Sequence, residues 1–198
     1  MIVSMDRICV YCGSSDGAQP VYRKAADHLG RTLADRNLGL VYGGGDVGLM
    51  GTVADATLDA GGEAYGIIPD ALREREIAHD GLSDLEIVES MHERKQRMVD
   101  QSDGFIALPG GFGTLEEFME VLTWTQLGLH EHPCGLLNVA DYYADLAAFF
   151  DHQCDEAFVS AHHREIIVIE DDPNDLLDQF TNYEAPPLKD VLQSADET

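Results

Sequence analysis

The sequence is poor in positive charge, and this shortage excludes one class of partner. Its 198 residues include 12 lysines and arginines against 37 aspartates and glutamates, for a formal net charge of −25. Proteins grip the polyanionic backbone of nucleic acids with basic side chains, so we expect no DNA or RNA partner. The acidic residues are spread along the chain. Such a surface repels itself in dilute buffer and is tolerated where salt screens charge, so we hypothesise a high-salt cytoplasm.

Long apolar runs are also missing. No stretch approaches the roughly 18 apolar residues that a membrane-spanning helix requires, so we expect no membrane partner. The opening segment, MIVSMDRICV, carries an acid and a base within its apolar stretch, unlike a signal peptide. We therefore expect a cytoplasmic protein.

Cysteine is scarce, and the four cysteines are too few and too scattered for a disulfide scaffold. Cys9 and Cys12 have C-x-x-C spacing, but they lie at the end of an apolar run and no second such pair follows. We interpret both as small buried apolar side chains.

The histidines also lack the spacing of a metal site. His130 and His132 are two residues apart and do not share a helix face, and His162 and His163 are adjacent. We predict that the protein binds no metal.

What the sequence does contain is an alternation of apolar strand-like runs with amphipathic helical stretches, typical of successive βαβ units. It predicts an α/β fold, a Rossmann-like doubly wound parallel sheet, with a single domain over residues 1–184 and a polar tail over 185–198. Residues 70–84 show no clear period and predict a long functional loop. The predicted strands are residues 8–11, 38–42, 64–68, 85–88, 104–108, 135–139 and 166–169.

Three of the predicted strand-to-helix turns are rich in glycine, at residues 13–17, 43–51 and 110–113. Ligands of open parallel sheets bind beyond the carboxyl ends of the strands, where glycine lets backbone N–H groups approach a phosphate and a helix N-terminus adds positive charge. A nucleotide phosphate could be held there without a basic patch. The sequence lacks a Walker loop, and G-x-G-x-x-G spacing is absent after the first strand, which weakens the case for ATP hydrolysis and for NAD chemistry.

The third turn continues into the stretch Pro109-Gly-Gly-Phe-Gly-Thr114-Leu-Glu116-Glu117. Two interpretations of its end remain open. Thr114 and Glu117 have the spacing of a capping box, in which both side chains bond backbone N–H groups of a helix start. The same glutamate is also a candidate catalytic carboxylate.

With the box Met91-His92-Glu93-Arg94-Lys95, this stretch makes the chain similar to the Lonely Guy family of cytokinin riboside 5′-monophosphate phosphoribohydrolases. The resemblance covers about residues 7–180 and includes residues 10–15, 42–45, 48–51, 123–124 and 135–138. It implies a Rossmann-type homodimer or higher even oligomer. It also implies hydrolysis of the N-glycosidic bond of AMP or an N6-modified AMP, releasing base and ribose 5-phosphate without a cofactor.

The resemblance further implies that Arg94 and Glu117 are the catalytic pair. Glycosidic cleavage builds positive charge on the sugar, which a carboxylate stabilises or relieves by activating water, and an arginine offers a planar fork of donors. The residues implied to bind the substrate are Ser14, Gly44, Glu76, Met91, Lys95, Gly110, Gly111, Gly113, Thr114, Glu116 and Thr123.

Two other functions stay open. Proteins of this family have been labelled lysine decarboxylases, which use a pyridoxal-phosphate lysine. Lys24 and Lys189 do not lie in such a motif, and Lys95 belongs to the nucleotide box. The second alternative is a nucleotide or cofactor carrier of the same fold without turnover.

The segment after the third glycine turn carries an apolar cluster that fits either a dimer face or the core. It consists of Leu122, Trp124, Leu127 and Leu129.

The charge balance generates the first prediction. The purified protein should unfold at a lower temperature in about 0.05 M than in about 2 M sodium chloride, because salt screens the repulsion among charges that sum to −25. Thermal melting across a chloride series measures this. Sulfate is avoided because it stabilises proteins by surface exclusion. A melting temperature independent of salt contradicts the prediction.

Overall fold

The computed structural model describes residues 5–73 and 77–185. In that part of the chain, seven strands form one sheet with helices between them. The strands are β1 Arg7–Tyr11, β2 Gly39–Tyr42, β3 Ala64–Pro69, β4 Asp84–Val88, β5 Gly104–Ala107, β6 Cys134–Leu137 and β7 Ile167–Glu170. The helices are α1 Pro20–Asp35, α2 Gly48–Asp59, α3 Met91–Asp100, α4 Phe112–Gln126, α5 Ala144–Asp155, α6 Ala161–Arg164 and α7 Pro173–Thr181.

The predicted α/β class and doubly wound sheet are confirmed, and each predicted strand is present with ends shifted by a residue or two. The four-residue helix α6 was not predicted. The loop after β3 carries a short 3-10 turn, Asp70–Leu72. Glu76 lies outside the described residues, as does the predicted tail beyond Ala185, and the single-domain assignment stays a prediction.

The strand order is β4-β3-β2-β1-β5-β6-β7, and all pairings between neighbours are parallel. From β1 the chain adds strands in one direction as far as β4, and then returns to the other side of β1 with β5. The order therefore reverses between β1 and β5. At such a reversal the two following loops diverge and leave a crevice at the carboxyl edge, where ligands of these folds bind.

The core lies in two layers because side chains of β1 alternate between the faces of the sheet. Ile8 and Val10 pack with α1, α2 and α7, whereas Cys9 and Tyr11 pack with α3, α4 and α5. Helix α1 approaches α2 closely through Gly30, where a Cβ would lie 2.5 Å from the carbonyl oxygen of Val53. Among the described residues, no helix is long and apolar enough to cross a bilayer.

Candidate active site

A cavity of about 290 Å³ opens at the reversal point of the sheet. The loops after β1 and β5 meet there: Gly13 N–H donates to Pro109 O at 3.1 Å, and Leu49 N–H at the start of α2 donates to Gly13 O at 3.0 Å. The lining residues are 13–17, Tyr22, Leu49, 109–111 and Tyr142. Ser14, Gly110 and Gly111, which were predicted to bind substrate, are among them.

The glycines of the β5–α4 loop are of two kinds. A Cβ at Gly110 would lie 2.1 Å from Oγ1 of the buried Thr114, so packing within the chain requires glycine there. A Cβ at Gly111 or Gly113 would meet no atom within 4 Å. No contact within the described chain requires glycine at these two positions, and both suit the close approach of a ligand to the backbone.

Helix α4 begins earlier than a capping box at Thr114 requires. Its N-cap is Gly111 and its first residue is Phe112, with no side-chain cap. Thr114 and Glu117 are therefore helical residues beyond the cap, and the capping-box interpretation is wrong. Because no side chain caps the helix, no capping side chain accepts from the backbone N–H groups of its first turn. These groups lie next to the cavity, since Gly111 is part of its lining.

Arg94 is held firmly below the loop that follows β2. Its helix, α3, is capped by Ser90, whose hydroxyl accepts a hydrogen bond from Glu93 N–H at 3.2 Å. Arg94 is 4 % exposed, and its Nη2 donates to Gly43 O at 3.1 Å. A Cβ at Gly43 would lie 1.8 Å from that nitrogen, so glycine is required for the guanidinium to dock.

Glu117 lies partly buried in the second turn of α4. Its charge and that of Arg94 both reach the Cys12 thiol, just after β1. Burial raises the pKa of Cys12 well above its usual range, the Glu117 carboxylate raises it further, and Arg94 opposes this rise. The charges of the predicted catalytic pair, carried by α3 and α4, therefore both act on the Cys12 thiol next to the carboxyl end of β1.

Lys95, which was predicted to bind substrate, forms ion pairs with two glutamates of α4. Its ammonium donates to Glu116 Oε1 at 2.7 Å and to Glu120 Oε1 at 3.0 Å, which joins α3 to α4. Burial lowers the pKa of Lys95, but the hydrogen bonds and charges of the two glutamates outweigh this effect and raise the pKa overall. Two of the three ammonium donors are used in these bonds, so Lys95 and Glu116 bridge the helices that carry Arg94 and Glu117.

The other predicted binding residues are spread more widely. Met91 begins α3, and its sulfur lies 3.9 Å from Nη1 of Arg94. Gly44 adopts a left-handed φ of 76° and its carbonyl oxygen accepts His79 N–H at 3.0 Å. Thr123 is not brought to the cavity: its hydroxyl donates to Met119 O, and it lines a separate groove beside α5 and α6.

A second polar cluster lies behind the β2–α2 loop. One ligand atom from each of Asp46, Asp55 and His79 lies within 4.8 Å of the others, a spacing compatible with a metal. However, Gly81 N–H donates to Nδ1 of His79, so this nitrogen is the acceptor of a neutral ring and Nε2–H donates to Asp55 at 3.1 Å. With Nδ1 accepting and Nε2 protonated, the His79 ring has no free lone pair for a cation. We interpret the cluster as hydrogen bonds that hold the loop after β2 against the start of α2.

His130 is likewise used inside the protein. Its Nε2 donates to Val121 O at 3.0 Å, and its Nδ1 accepts His132 N–H at 3.3 Å. Burial, followed by the charge of His132, lowers the pKa of His130 to about 4. Cys9 and Cys12 are buried as predicted, and burial raises the pKa of both thiols.

Sequence reasoning missed two residues of this region. Gly43 was predicted to be part of a phosphate-binding turn. Its carbonyl oxygen instead accepts a hydrogen bond from the Arg94 guanidinium. Tyr142 belongs to none of the motifs singled out in the sequence, yet it lines the cavity and its hydroxyl donates to Gly110 O. The available signal was its position just after a predicted strand, at the carboxyl edge where ligands bind.

The fold and site define a Rossmann-like α/β protein with its ligand crevice at the reversal of strand order. Solved structures agree on the fold: the molybdenum cofactor binding protein from Rippkaea orientalis has a TM-score of 0.69 at 23% identity, and the comparison covers 91% of this chain and 98% of that one. A molybdenum cofactor carrier protein from Chlamydomonas reinhardtii also has a TM-score of 0.69, at 17% identity, covering 91% of this chain and 100% of that one.

Sequence comparison is more specific. Residues 50–180 match the profile of a family described as possible lysine decarboxylases. Cytokinin riboside 5′-monophosphate phosphoribohydrolase LOG7 from Arabidopsis thaliana is 50% identical over 90% of this chain and 82% of its own length. The probable enzyme of the same kind LOGL6 from Oryza sativa subsp. japonica is 50% identical over 89% of this chain and 71% of its own length. The chain therefore belongs to the Lonely Guy family of phosphoribohydrolases, as the resemblance in the sequence indicated.

The Lys95 bridge generates the second prediction. Lys95→Met should lower the free energy of unfolding by about 1–2 kcal/mol, because Glu116 and Glu120 lose a shared charged partner. Lys24→Met, which removes an exposed lysine from α1, is the matched control. It should change the free energy of unfolding by less than about 0.5 kcal/mol. Denaturant melts measure both. If Lys95 acts only as a substrate ligand, Lys95→Met will leave stability unchanged or raise it.

Proposed function

We propose that the protein hydrolyses the N-glycosidic bond of AMP or an N6-modified AMP, releasing the free base and ribose 5-phosphate. The observation that carries this proposal is the 50% identity to an Arabidopsis thaliana phosphoribohydrolase over 90% of this chain. Most of the stretches on which the resemblance rests lie at the carboxyl edge of the sheet. They supply the β1, β2 and β5 loops, the start of α3 and the start of α4.

In the proposed reaction water adds to C1′ of the ribose as the base departs with the bonding electrons and takes up a proton. Positive charge develops on the sugar ring as the bond breaks. Glu117 stabilises this charge or accepts a proton from the attacking water. Arg94, fixed by Gly43 O, supplies charged donors that orient the carboxylate or the substrate.

The phosphate subsite has to bind a dianion in a chain that carries 37 acidic and 12 basic residues. We place the 5′-phosphate against the loop 110–113 and the uncapped start of α4, in the cavity that Ser14 also lines. Backbone N–H groups and the helix dipole attract a dianion there. This arrangement holds phosphate in a chain whose lysines and arginines number only 12.

A lysine decarboxylase activity, suggested by the family's description, does not fit the lysines. Schiff-base chemistry with pyridoxal phosphate needs an amine that can be neutral. The ion pairs with Glu116 and Glu120 raise the pKa of Lys95, which favours its charged form, and Lys24 is exposed on α1. Lys189 lies outside the described residues.

The carrier alternative has support from the fold alone, because the two molybdenum cofactor proteins share 23% and 17% identity with this chain. Incubation with AMP and chromatography of the products separates the two functions. Free adenine appears if the protein is a hydrolase, and AMP is recovered intact if it is a carrier. AMP, GMP, CMP and N6-isopentenyl-AMP in parallel give the base preference.

We also propose a homodimer or higher even oligomer and a cytoplasmic location. Exposed apolar side chains at both ends of α4 and at the start of α3 support the oligomer; they are Phe112, Leu127, Leu129 and Met91. The four cysteines are free thiols, which suits a reducing compartment.

The oligomer generates the third prediction. Light scattering at micromolar concentration should give at least twice the chain mass of 21.7 kDa. Leu129→Asp should shift the protein toward monomer, because a charge would be desolvated in the contact. Phe158→Asp, at an exposed phenylalanine between α5 and α6, is the control and should leave the mass unchanged. A monomer mass for the unsubstituted protein refutes the oligomer.

The catalytic pair generates the fourth prediction. Glu117→Gln preserves shape but removes the negative charge, so release of base from AMP should fall by about 10²–10⁴-fold. Arg94→Ala should lose activity comparably. The double variant should lose far less than the product of the two, because the groups act as a unit.

Glu131→Gln, an exposed carboxylate beyond α4, is the matched control for base release and should retain full turnover. Thermal melting checks folding, and Glu117→Gln should stay within about 1 kcal/mol of the unsubstituted protein because Glu117 does not cap α4. A folded Glu117→Gln protein with more than about half of the original turnover refutes the catalytic assignment.

A further inference from the structure

The connection between β6 and α5 has an unusual backbone. Ala140 and Asp141 are consecutive non-glycine residues in the left-handed region, with φ of 50° and 60°. L-residues with a Cβ rarely adopt this conformation, and it persists where surrounding contacts fix it. Here Asn138 N–H donates to Glu170 O at 2.7 Å, and Asn138 Oδ1 accepts Tyr143 N–H at 2.7 Å.

This backbone delivers two adjacent phenols to one neighbouring loop. The buried Tyr143 hydroxyl donates to Leu108 O at 2.7 Å, and the Tyr142 hydroxyl donates to Gly110 O. The tyrosines are separated from these carbonyls by 35 and 32 residues, respectively. The loop that follows β5 is therefore braced from outside by the loop that follows β6.

The hydrogen bonds of Tyr143 and Tyr142 differ in their distance from the cavity lining, because Gly110 is part of that lining and Leu108 is not. Leu108, the residue after β5, is fully buried. Gly110 O belongs to the peptide that joins Gly110 to Gly111, and this peptide is planar. Fixing its carbonyl fixes the direction of the Gly111 N–H, one of the donors at the start of α4.

Tyr142 also forms part of the cavity itself. Its ring meets that of Tyr22 edge to face, with 5.7 Å between the ring centroids, and both residues line the cavity with Gly111. A side chain that lines the cavity and also holds the Gly110–Gly111 peptide can affect a ligand without contributing to the bond-breaking step.

We propose that Tyr142 is a positioning residue for the anionic group of the ligand, acting through the Gly110–Gly111 peptide. With the proposed function, on which the identity of the ligand rests, this group is the 5′-phosphate of AMP. The hydroxyl acts in substrate binding and product binding alike, because both carry the phosphate.

The test variant is Tyr142→Phe, which keeps the ring against Tyr22 and removes the hydroxyl. The KM for AMP should rise about 5–10-fold, with kcat within about twofold, because an interaction equal in ground and transition states is lost. The inhibition constant of ribose 5-phosphate should rise by the same factor. Affinity for adenosine, which lacks the phosphate, should not change.

Two further variants separate positioning from stability. Tyr143→Phe removes the buried phenol and should lower the melting temperature with a smaller change in KM than Tyr142→Phe produces. Tyr65→Phe removes a hydroxyl that donates to Glu63 at the start of β3 and should leave both KM and kcat unchanged. An unchanged KM in Tyr142→Phe, or a fall in kcat alone, overturns the proposal.

Calorimetric titration with ribose 5-phosphate makes the test independent of turnover. If the unsubstituted protein releases no base from AMP, the proposed function fails. The role of Tyr142 is then upheld if ribose 5-phosphate binds and Tyr142→Phe weakens its binding about 5–10-fold. It is overturned if Tyr142→Phe binds ribose 5-phosphate as the unsubstituted protein does, or if the unsubstituted protein does not bind it.

Discussion

The parallel pairing of β1 with β2 on one side and β5 on the other is the constraint on which the site depends. Because the strand order reverses at β1, the chain leaves β1 and β5 toward opposite faces of the sheet, and the gap between the two loops is the crevice. One hydrogen bond, from Gly13 N–H to Pro109 O, keeps the loops in contact at its base. The cavity lies at this junction, and Gly111, the N-cap of α4, is part of its lining.

Positive charge is scarce in this chain, and two adjacent basic residues of α3 use it in different ways. Consecutive residues of a helix point about 100° apart, so Arg94 reaches Gly43 while Lys95 reaches Glu116 and Glu120 on α4. The first contact fixes a guanidinium at the carboxyl edge of the sheet. The second fixes the spacing between the two helices that carry the proposed catalytic pair.

The two kinds of relative illustrate how far a fold informs function. Proteins at 23% and 17% identity share the sheet and helices and are described as cofactor binders or carriers. The relatives at 50% identity are described as phosphoribohydrolases. The sheet is shared because many different apolar sequences can form its buried strands, whereas activity depends on particular side chains in the loops at its carboxyl edge.

The apolar pattern by itself determined the succession of strands and helices along the chain, because the periodicity of each element is set by residues close together in sequence. The glycine turns are visible in the sequence itself, whereas the pairing of Arg94 with Glu117 was implied by the resemblance to a known family. The observed strand ends differ from the predicted ones by a residue or two. The capping-box interpretation, one of the two left open for Glu117, was wrong because α4 begins at Phe112 without a side-chain cap. A capping pattern also fits the interior of a helix, and local sequence does not distinguish the two.

Only the tertiary structure decided which side chains act together. Arg94 and Gly43 are 51 residues apart in sequence, and Lys95 is 21 residues from Glu116. Such contacts leave no periodic trace in sequence, because the intervening strands and helices set the distance between their partners. For the same reason Thr123, which the motif pattern grouped with the nucleotide, lies in another groove. Tyr142, which no motif selected, reaches Gly110 because β6 lies beside β5 in the sheet.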